Sequence, residues 1–269
     1  MTPLRVALFV EGSHTPPPTR GERPLVAIWQ ALAESLGLSA FHLIIPISKK
    51  HLVAMDPANP KMSGASEGLD QLMTRTLRST PFDAAVVAWD LVPDWNSTGH
   101  YCRWQETLDL FRLLGASEAL PEPWRQKAAR RHAELTSRST PGDRPEPTRL
   151  SQQEVLALCM EPMFEALLTL DEHAIRDALG LKTRPRGWPT PGWGVGATLR
   201  PDTEVLAPAV RAARGVRPRL TAVKRVPGDL RTNKDGWGEF LLRQMLDHEA
   251  HRPLVLGHPI SVRLREYLG

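Results

Sequence analysis

The first apolar segment constrains the fold most, because it predicts a strand that is buried on both faces. Leu4 to Val10 is apolar except for Arg5, and such a continuous run is typical of strands inside a parallel sheet. The run ends on Glu11 followed by Gly12. Ligands of open α/β sheets bind beyond the carboxyl ends of the strands. Glu11 is therefore a candidate metal or catalytic ligand, and the alternative is a surface glutamate in a strand-to-loop turn.

Strands and helices alternate along the first half of the chain. Further buried strands are predicted over Phe41–Ile47 and Asp83–Ala88. Apolar residues at helical spacing predict helices over Glu22–Gly37, Ser66–Arg78 and Trp104–Gly115. This alternation predicts a parallel sheet with right-handed crossovers. Asp90 is a second carboxylate at a strand end, and Asp94 follows it. Acids at the carboxyl ends of one sheet can converge, and carboxylate oxygens suit Mg²⁺.

A fourth apolar run, Val155–Met160, predicts another strand beyond a segment rich in proline and arginine at about 118–150. That segment is read as an insertion with one short helix, Trp124–Leu135, and a flexible loop. Pro162 suits the first turn of a helix. Glu161 and Glu165 would then lie near that helix start, either aimed at one ligand or interacting with the helix dipole. Further helices are predicted over Asp171–Leu181, Lys234–His248 and Ile260–Leu268.

The chain is accordingly divided into an α/β domain over residues 1–180 and a C-terminal region over residues 181–269. The second region combines a basic loop with helices and is expected to pack on the first. The segment from Lys182 to Arg225 contains ten basic and two acidic residues, and the net charge of the whole chain is +4. Such a stretch suits phosphate backbones, and the alternative is a solvated, proline-rich surface loop. The candidate nucleic-acid-binding residues are Lys49, Lys50, Arg130, Arg131, Arg211, Arg214, Arg217 and Arg219. Trp188 and Trp193 either stack on bases or pack against the protein body.

Several classes of protein are disfavoured by the sequence. It has no apolar run long enough for a membrane span and no signal-peptide pattern at its start, so a cytoplasmic protein is expected. Its two cysteines make neither a disulfide scaffold nor a zinc site. Neither a phosphate-binding GxxxxGK[ST] loop nor a GxSxG nucleophile elbow is present.

Three short motifs together resemble a known group. Val10-Glu11-Gly12 after the opening strand and a later strand ending in aspartate resemble a Toprim domain. Phe164-Glu165-Ala166-Leu167-Leu168 resembles the FEALL motif of an uncharacterised Toprim-like family. That family is related to the overcoming-lysogenisation-defect nucleases, which act with ABC-type ATPases in phage defence. The resemblance covers residues 1–180.

The resemblance implies Mg²⁺- or Mn²⁺-dependent cleavage of phosphodiester bonds, with DNA as the substrate and an ATPase or another defence-system subunit as a partner. Glu11 would match the first acid of the family, Asp90 one member of its DxD pair, and Glu165 its later glutamate. The chain departs from the pattern at Ala88 and Val92, which occupy the positions on either side of Asp90 where a second acid of the pair would stand. Another departure is the threonine found four residues after Glu11. The missing ligands would have to come from Asp94 or Glu161.

Three functions remain open at this point. The first is a Mg²⁺-dependent endonuclease in a phage-defence or DNA-processing system. The second is a catalytically degenerate Toprim-like subunit that binds DNA or protein partners in a defence assembly. The third, ranked last because the glycine pattern does not indicate a nucleotide-binding fold, is an unrelated α/β enzyme acting on small phosphorylated substrates.

Overall fold

The four apolar runs form the four strands of one sheet. The structure, a computed structural model, describes residues 4–12, 23–55, 67–92, 103–138, 149–190, 193–216 and 226–269, with only the backbone described at positions 49 and 53. The strands are β1 (Val6–Glu11), β2 (Leu43–Ile47), β3 (Ala84–Asp90) and β4 (Glu154–Met160). They pair in parallel in the order β2-β1-β3-β4. The predicted α/β class, a parallel sheet flanked by helices with a helical C-terminal region, is confirmed and is consistent with a Toprim-like fold.

Helices cover both faces of this sheet, as the crossovers between parallel strands require. The α-helices are α1 (Pro24–Ser35), α2 (Lys49–Val53), α3 (Leu69–Ser79), α4 (Trp104–Ala116), α5 (Glu122–Thr136), α6 (Glu172–Ala178), α7 (Ala207–Val216), α8 (Lys234–Asp247), α9 (Arg252–Gly257) and α10 (Pro259–Leu268). A 3₁₀ helix, Phe164–Leu168, follows β4, and a π-helix, Pro201–Leu206, leads into α7. None of the helices in these ranges combines the length and apolarity needed to span a bilayer.

Side chains alternate between two cores along each strand, because successive residues of a strand point to opposite faces. Leu8 and Val86 belong to the core that α1, α6, α7, α8 and α10 cover. Phe9 and Val87 belong to the core beneath α3, α4 and α5. Both faces of the sheet are therefore buried, which explains why the strands are apolar almost throughout.

The C-terminal helices complete the first of these cores. Trp237 of α8 is fully buried, and α8 packs along α1. The hydroxyl of Tyr267 in α10 donates a hydrogen bond to the carbonyl of Ala157 in β4 at 3.0 Å. Trp188 is buried and stacked on Trp193, with ring centroids 6.1 Å apart. The structure therefore confirms that Trp188 and Trp193 pack against the protein body, which is one of the two alternatives predicted for this pair.

Two segments expected to be loops are helical. The position of Ser48 to His51 directly after the predicted strand Phe41–Ile47 favours a strand-end loop, but α2 begins there, and the backbone N–H of Ser48 donates to Nδ1 of His51 at 3.0 Å. Part of the basic region forms α7, because Ala209 and Val210 are buried against the first core. Alanines recur within this arginine-rich stretch at a spacing that indicates a helix. Counting the charges alone overlooks this pattern.

The prediction of a helix that starts at Pro162 is wrong. The Glu161–Pro162 peptide bond is cis, and the carbonyl of Pro162 accepts a hydrogen bond from the N–H of Val92 at 2.8 Å. The 3₁₀ helix begins only at Phe164, whose N–H donates to the side chain of Asp90. Glu161 and Glu165 consequently do not share a helix start.

His258 links the last two helices and is 2% exposed. Its Nδ1 accepts a hydrogen bond from the N–H of Ile260 at 3.2 Å and so caps α10. Burial lowers the pKa of His258 from 6.5 to about 4. A proton on this ring would also remove the cap acceptor and add positive charge at a helix N-terminus.

We expect His258 to make folding stability depend on pH. The unfolded chain takes up a proton near pH 6.5, whereas the folded chain does so only near pH 4, so the contribution is complete above pH 6.5 and is lost as the pH falls towards 4. Between pH 7 and pH 5 the free energy of unfolding should drop by about 2 kcal/mol through this residue. His258→Asn keeps a cap acceptor without the titration. Urea unfolding of both proteins at the two pH values measures the difference, and equal pH dependence would contradict the prediction.

Candidate active site

Three carboxylates from separate parts of the chain converge at the carboxyl edge of the sheet. Glu11 ends β1, Asp90 ends the neighbouring strand β3, and Glu165 lies in the 3₁₀ helix that follows β4. All three line one cavity of about 200 Å³. A Cβ at Gly12 would collide with the side chain of Leu25, so glycine after Glu11 lets the strand end lie close to α1.

Hydrogen bonds between these elements fix the acids in place. Oε2 of Glu11 accepts a hydrogen bond from the backbone N–H of Asp90 at 3.1 Å. Oδ1 of Asp90 in turn accepts one from the N–H of Phe164 at 2.8 Å. The strand ends and the 3₁₀ helix are thereby joined through the same side chains that form the site.

Two basic side chains complete the site. Arg103, which immediately precedes α4, is fully buried, and its guanidinium donates to both carboxylate oxygens of Glu11, with Nη2 to Oε1 at 2.6 Å. Lys234 is the first residue of α8. Its Nζ lies 3.0 Å from Oε1 of Glu165 and 3.4 Å from Oδ2 of Asp202.

Burial and mutual repulsion alter how these groups titrate. Burial raises the pKa of Asp90 well above its usual range, and the carboxylates of Glu11 and Glu165 raise it further. Burial likewise raises the pKa of Glu165, although Lys234 opposes the shift. Burial alone would lower the pKa of Lys234, but the surrounding carboxylates outweigh it and raise that pKa. Lys234 therefore stays charged, while Asp90 readily holds a proton.

The charges around the cavity do not balance when every acid is ionised. The acids that line the cavity are Glu11, Asp90, Glu165 and Asp235, and Lys234 lines it as a base. Arg103, which pairs with Glu11, and Asp202, which pairs with Lys234, add one charge of each sign. The net excess of negative charge favours a bound divalent cation. Within the described residues, Oε2 of Glu165 is buried and has no hydrogen-bond partner. An orphaned carboxylate oxygen in an oxygen-rich cavity is the kind of donor that Mg²⁺ binds.

A further acid next to this cluster was missed by the sequence reasoning. Glu106 lies in the first turn of α4, three residues after Arg103. Burial raises its pKa to about 7, with smaller contributions from Asp109 and Glu11. Because Glu106 and Arg103 are three residues apart, both lie at the same end of α4. Nothing in the local sequence indicates that this end of the helix faces β1.

Glu161, another predicted metal ligand, does not line the cavity. Its side chain is exposed. The physical reason is the Pro162 turn, which separates Glu161 from the 3₁₀ helix. Asp94 lies outside the described residues.

The predicted nucleic-acid-binding residues occupy different environments. Lys50, Arg130 and Arg211 are exposed. Arg131 is buried and pairs with Glu134 and Glu154 at 2.9 and 3.2 Å, so a role in contacting phosphates does not fit its position. The remaining predicted residues add little support for a nucleic-acid-binding surface. Arg214 is half-buried and donates to the carbonyl of Gly228, while the side chain of Lys49 and both Arg217 and Arg219 lie outside the described part of the chain.

A second cluster could hold a metal ion. It consists of Asp177, His248 and His251, whose potential ligand atoms all lie within 4.8 Å of one another. It is the one such group of three or more His, Cys, Asp or Glu residues within the described ranges. The sequence reasoning did not find it, because Asp177 is separated from both histidines by most of the C-terminal region.

A larger depression lies away from the acids. It has a volume of about 580 Å³ and runs along the outer side of α3, where Asp70, Thr74 and Arg78 are among the residues that line it. The strand-end acids are not part of it. The smaller cavity is the better candidate site because Asp90 and Glu165, whose pKa values are raised, meet Lys234 there.

Comparison with known proteins gave no match to this chain. No protein-family profile, no curated protein and no solved structure was significantly similar to it. The function is therefore inferred from the residues of the site.

Proposed function

We propose that the chain is a Mg²⁺- or Mn²⁺-dependent hydrolase of phosphodiester bonds in nucleic acid, with a Toprim-like domain as its catalytic core. The observation that carries the proposal is the convergence of Glu11, Asp90 and Glu165 in one cavity whose lining has an excess of negative charge. The motif resemblance adds DNA as the substrate and a phage-defence or DNA-processing system as the setting. It also suggests an ATPase or another defence-system subunit as a partner.

The donor chemistry of the cavity suits a divalent cation, but a bound ion would have to draw the three carboxylates together. Among the described residues, only Asp177, His248 and His251 already place their ligand atoms within 4.8 Å of one another. The donors in the cavity are carboxylate oxygens, and Oε2 of Glu165 has no competing hydrogen bond within the described residues. Burial and neighbouring negative charge raise the pKa of Asp90, and the positive charge of a bound cation would lower that pKa and release the proton. Glu11, Asp90 and Glu165 would hold the ion, which would polarise a phosphoryl oxygen and lower the pKa of a water molecule.

The chain's own residues would then orient the substrate, stabilise developing negative charge, and hold or release protons. Arg103 holds the carboxylate of Glu11 in a fixed orientation through two hydrogen bonds. Lys234 remains charged and can stabilise negative charge that develops on the phosphoryl group. Glu106, with its pKa raised to about 7, is suited to hold or release a proton near neutral pH. The exposed Lys50 lies just beyond the carboxyl end of β2 and can contact a phosphate backbone.

A second function is favoured by one observation on the same site. Arg103 and Lys234 already neutralise Glu11 and Glu165, and Ala88 and Val92 lack the carboxylate of a full DxD pair. A catalytically degenerate Toprim-like subunit would keep this fold and its basic surface but would bind DNA or a protein partner without cleaving it.

Cleavage assays on the full chain separate the two functions. Single-stranded DNA, double-stranded DNA and RNA are incubated with Mg²⁺, with Mn²⁺ or with a chelator. The hydrolase proposal predicts products with the metals, none with the chelator, and a loss of products in Glu165→Gln. Glu118→Gln, a matched change at an exposed position before α5, should cleave normally. DNA binding without products under any metal condition would instead support the degenerate subunit.

A further inference from the structure

We propose that Asp177, His248 and His251 form a binding site for a divalent transition metal of the Zn²⁺ class, separate from the strand-end acids. One oxygen of Asp177 and one ring nitrogen of each histidine lie within 4.8 Å of one another. Nε2 of His251 is 2.9 Å from Oδ2 of Asp177. The two imidazole rings are stacked, with centroids 4.1 Å apart.

The fold brings these residues together from two parts of the chain. Asp177 lies in α6, 74 positions before His251. His248 follows the last residue of α8, and His251 precedes the first residue of α9. The N–H of His251 donates to the carbonyl of His248 at 3.0 Å, and this tight turn places both rings on the same side, facing α6.

The donor set selects the metal. Two imidazole nitrogens and one carboxylate oxygen suit Zn²⁺, Ni²⁺ or Cu²⁺, whereas Mg²⁺ prefers oxygen ligands. Three protein ligands leave a fourth position of a tetrahedral Zn²⁺ site open to water or another small ligand. Asp177 and His248 are exposed, so an ion reaches the site from solvent, while the buried His251 anchors it.

The site lies at the far end of a helix that starts in the cavity. Helix α8 begins at Lys234 and has 14 residues, which corresponds to a length of about 20 Å. A metal bound at its end would join α8 and α9 to α6 and would thereby fasten the C-terminal helices to the rest of the fold. Such an ion binds only the folded chain, so it should raise stability.

The test is a titration of the metal-free full chain with Zn²⁺, followed by calorimetry and by thermal unfolding. We expect one saturable site and a rise in Tm on adding Zn²⁺. His248→Ala and Asp177→Asn should each weaken Zn²⁺ binding at least about tenfold, because even indirect contacts to a metal are worth 10–100-fold. His132→Ala, a histidine of α5 on the opposite face of the sheet, should bind as the intact chain does.

Two results would overturn the proposal. One is the absence of saturable Zn²⁺ binding to the intact chain. The other is unchanged affinity in both His248→Ala and Asp177→Asn. Because both positions are exposed, the variants should retain the circular dichroism spectrum of the intact chain. Asp90→Asn should keep full Zn²⁺ affinity, which separates this site from the proposed Mg²⁺ site.

Discussion

Replacing Asp90 by asparagine is expected to reduce metal-dependent cleavage at least ~100-fold while leaving the fold intact. Loss of a residue that binds the metal directly should reduce the cleavage rate more than loss of a residue that only supports a metal ligand. For such supporting residues a 10–100-fold reduction is typical. The fold should survive because asparagine keeps the side-chain oxygen that accepts the hydrogen bond from Phe164. Asparagine also resembles the protonated form of Asp90, which burial and neighbouring carboxylates favour in the metal-free protein.

The control for this experiment is Asp247→Asn, the same chemical change at an exposed position of α8. Initial rates on a labelled DNA substrate at saturating Mg²⁺, together with urea unfolding curves, give both quantities. If Asp90→Asn cleaved at the rate of the control, Asp90 would not be a metal ligand. If it unfolded at much lower urea, the reduced rate would reflect lost structure instead.

Removing the side chain of Glu11 is expected to be strongly destabilising as well as inactivating. Glu11→Ala would leave the guanidinium of the fully buried Arg103 without its carboxylate partner. Breaking a buried ion pair in this way typically costs about 3–5 kcal/mol. That is a large part of the ~5–15 kcal/mol that holds a folded domain together. Chemical unfolding followed by circular dichroism measures the loss.

The matched control is the exposed pair formed by Arg75 and Glu67, at 2.7 Å. Glu67→Ala removes the same kind of contact at the surface and should cost no more than about 1 kcal/mol. The double variant Glu11→Ala/Arg103→Leu should recover part of the lost stability, because the buried guanidinium that has lost its Glu11 carboxylate is then removed as well. A cost for Glu11→Ala as small as that for Glu67→Ala would show that Arg103 does not depend on Glu11.

The sheet and its acids could be predicted because their signal is local. Each strand is buried on both faces, so it appears in the sequence as an apolar run, and Glu11 and Asp90 directly follow such runs. Glu165 was placed in the site by its motif. The wrong helix at Pro162 arose because proline at a helix start and proline in a tight turn look alike in sequence.

The partners of the acids could not be predicted, since they come from distant segments. Arg103 is 92 positions from Glu11, and Lys234 reaches Glu165 only because α8 packs beside the 3₁₀ helix. Their identity depends on tertiary packing, which no periodicity encodes. For the same reason Arg131 was counted as a surface charge, although it is buried against Glu154.

The central claim is that Glu11, Asp90 and Glu165 form one divalent-cation site, and Mg²⁺ calorimetry tests it most directly. The full chain and Glu165→Gln are titrated with Mg²⁺ under identical conditions, with Glu118→Gln as the control. The account predicts saturable binding to the intact chain and to the control, and its loss in Glu165→Gln, which removes the charge of the orphaned oxygen. Undiminished binding in Glu165→Gln, or no binding to the intact chain, would contradict it.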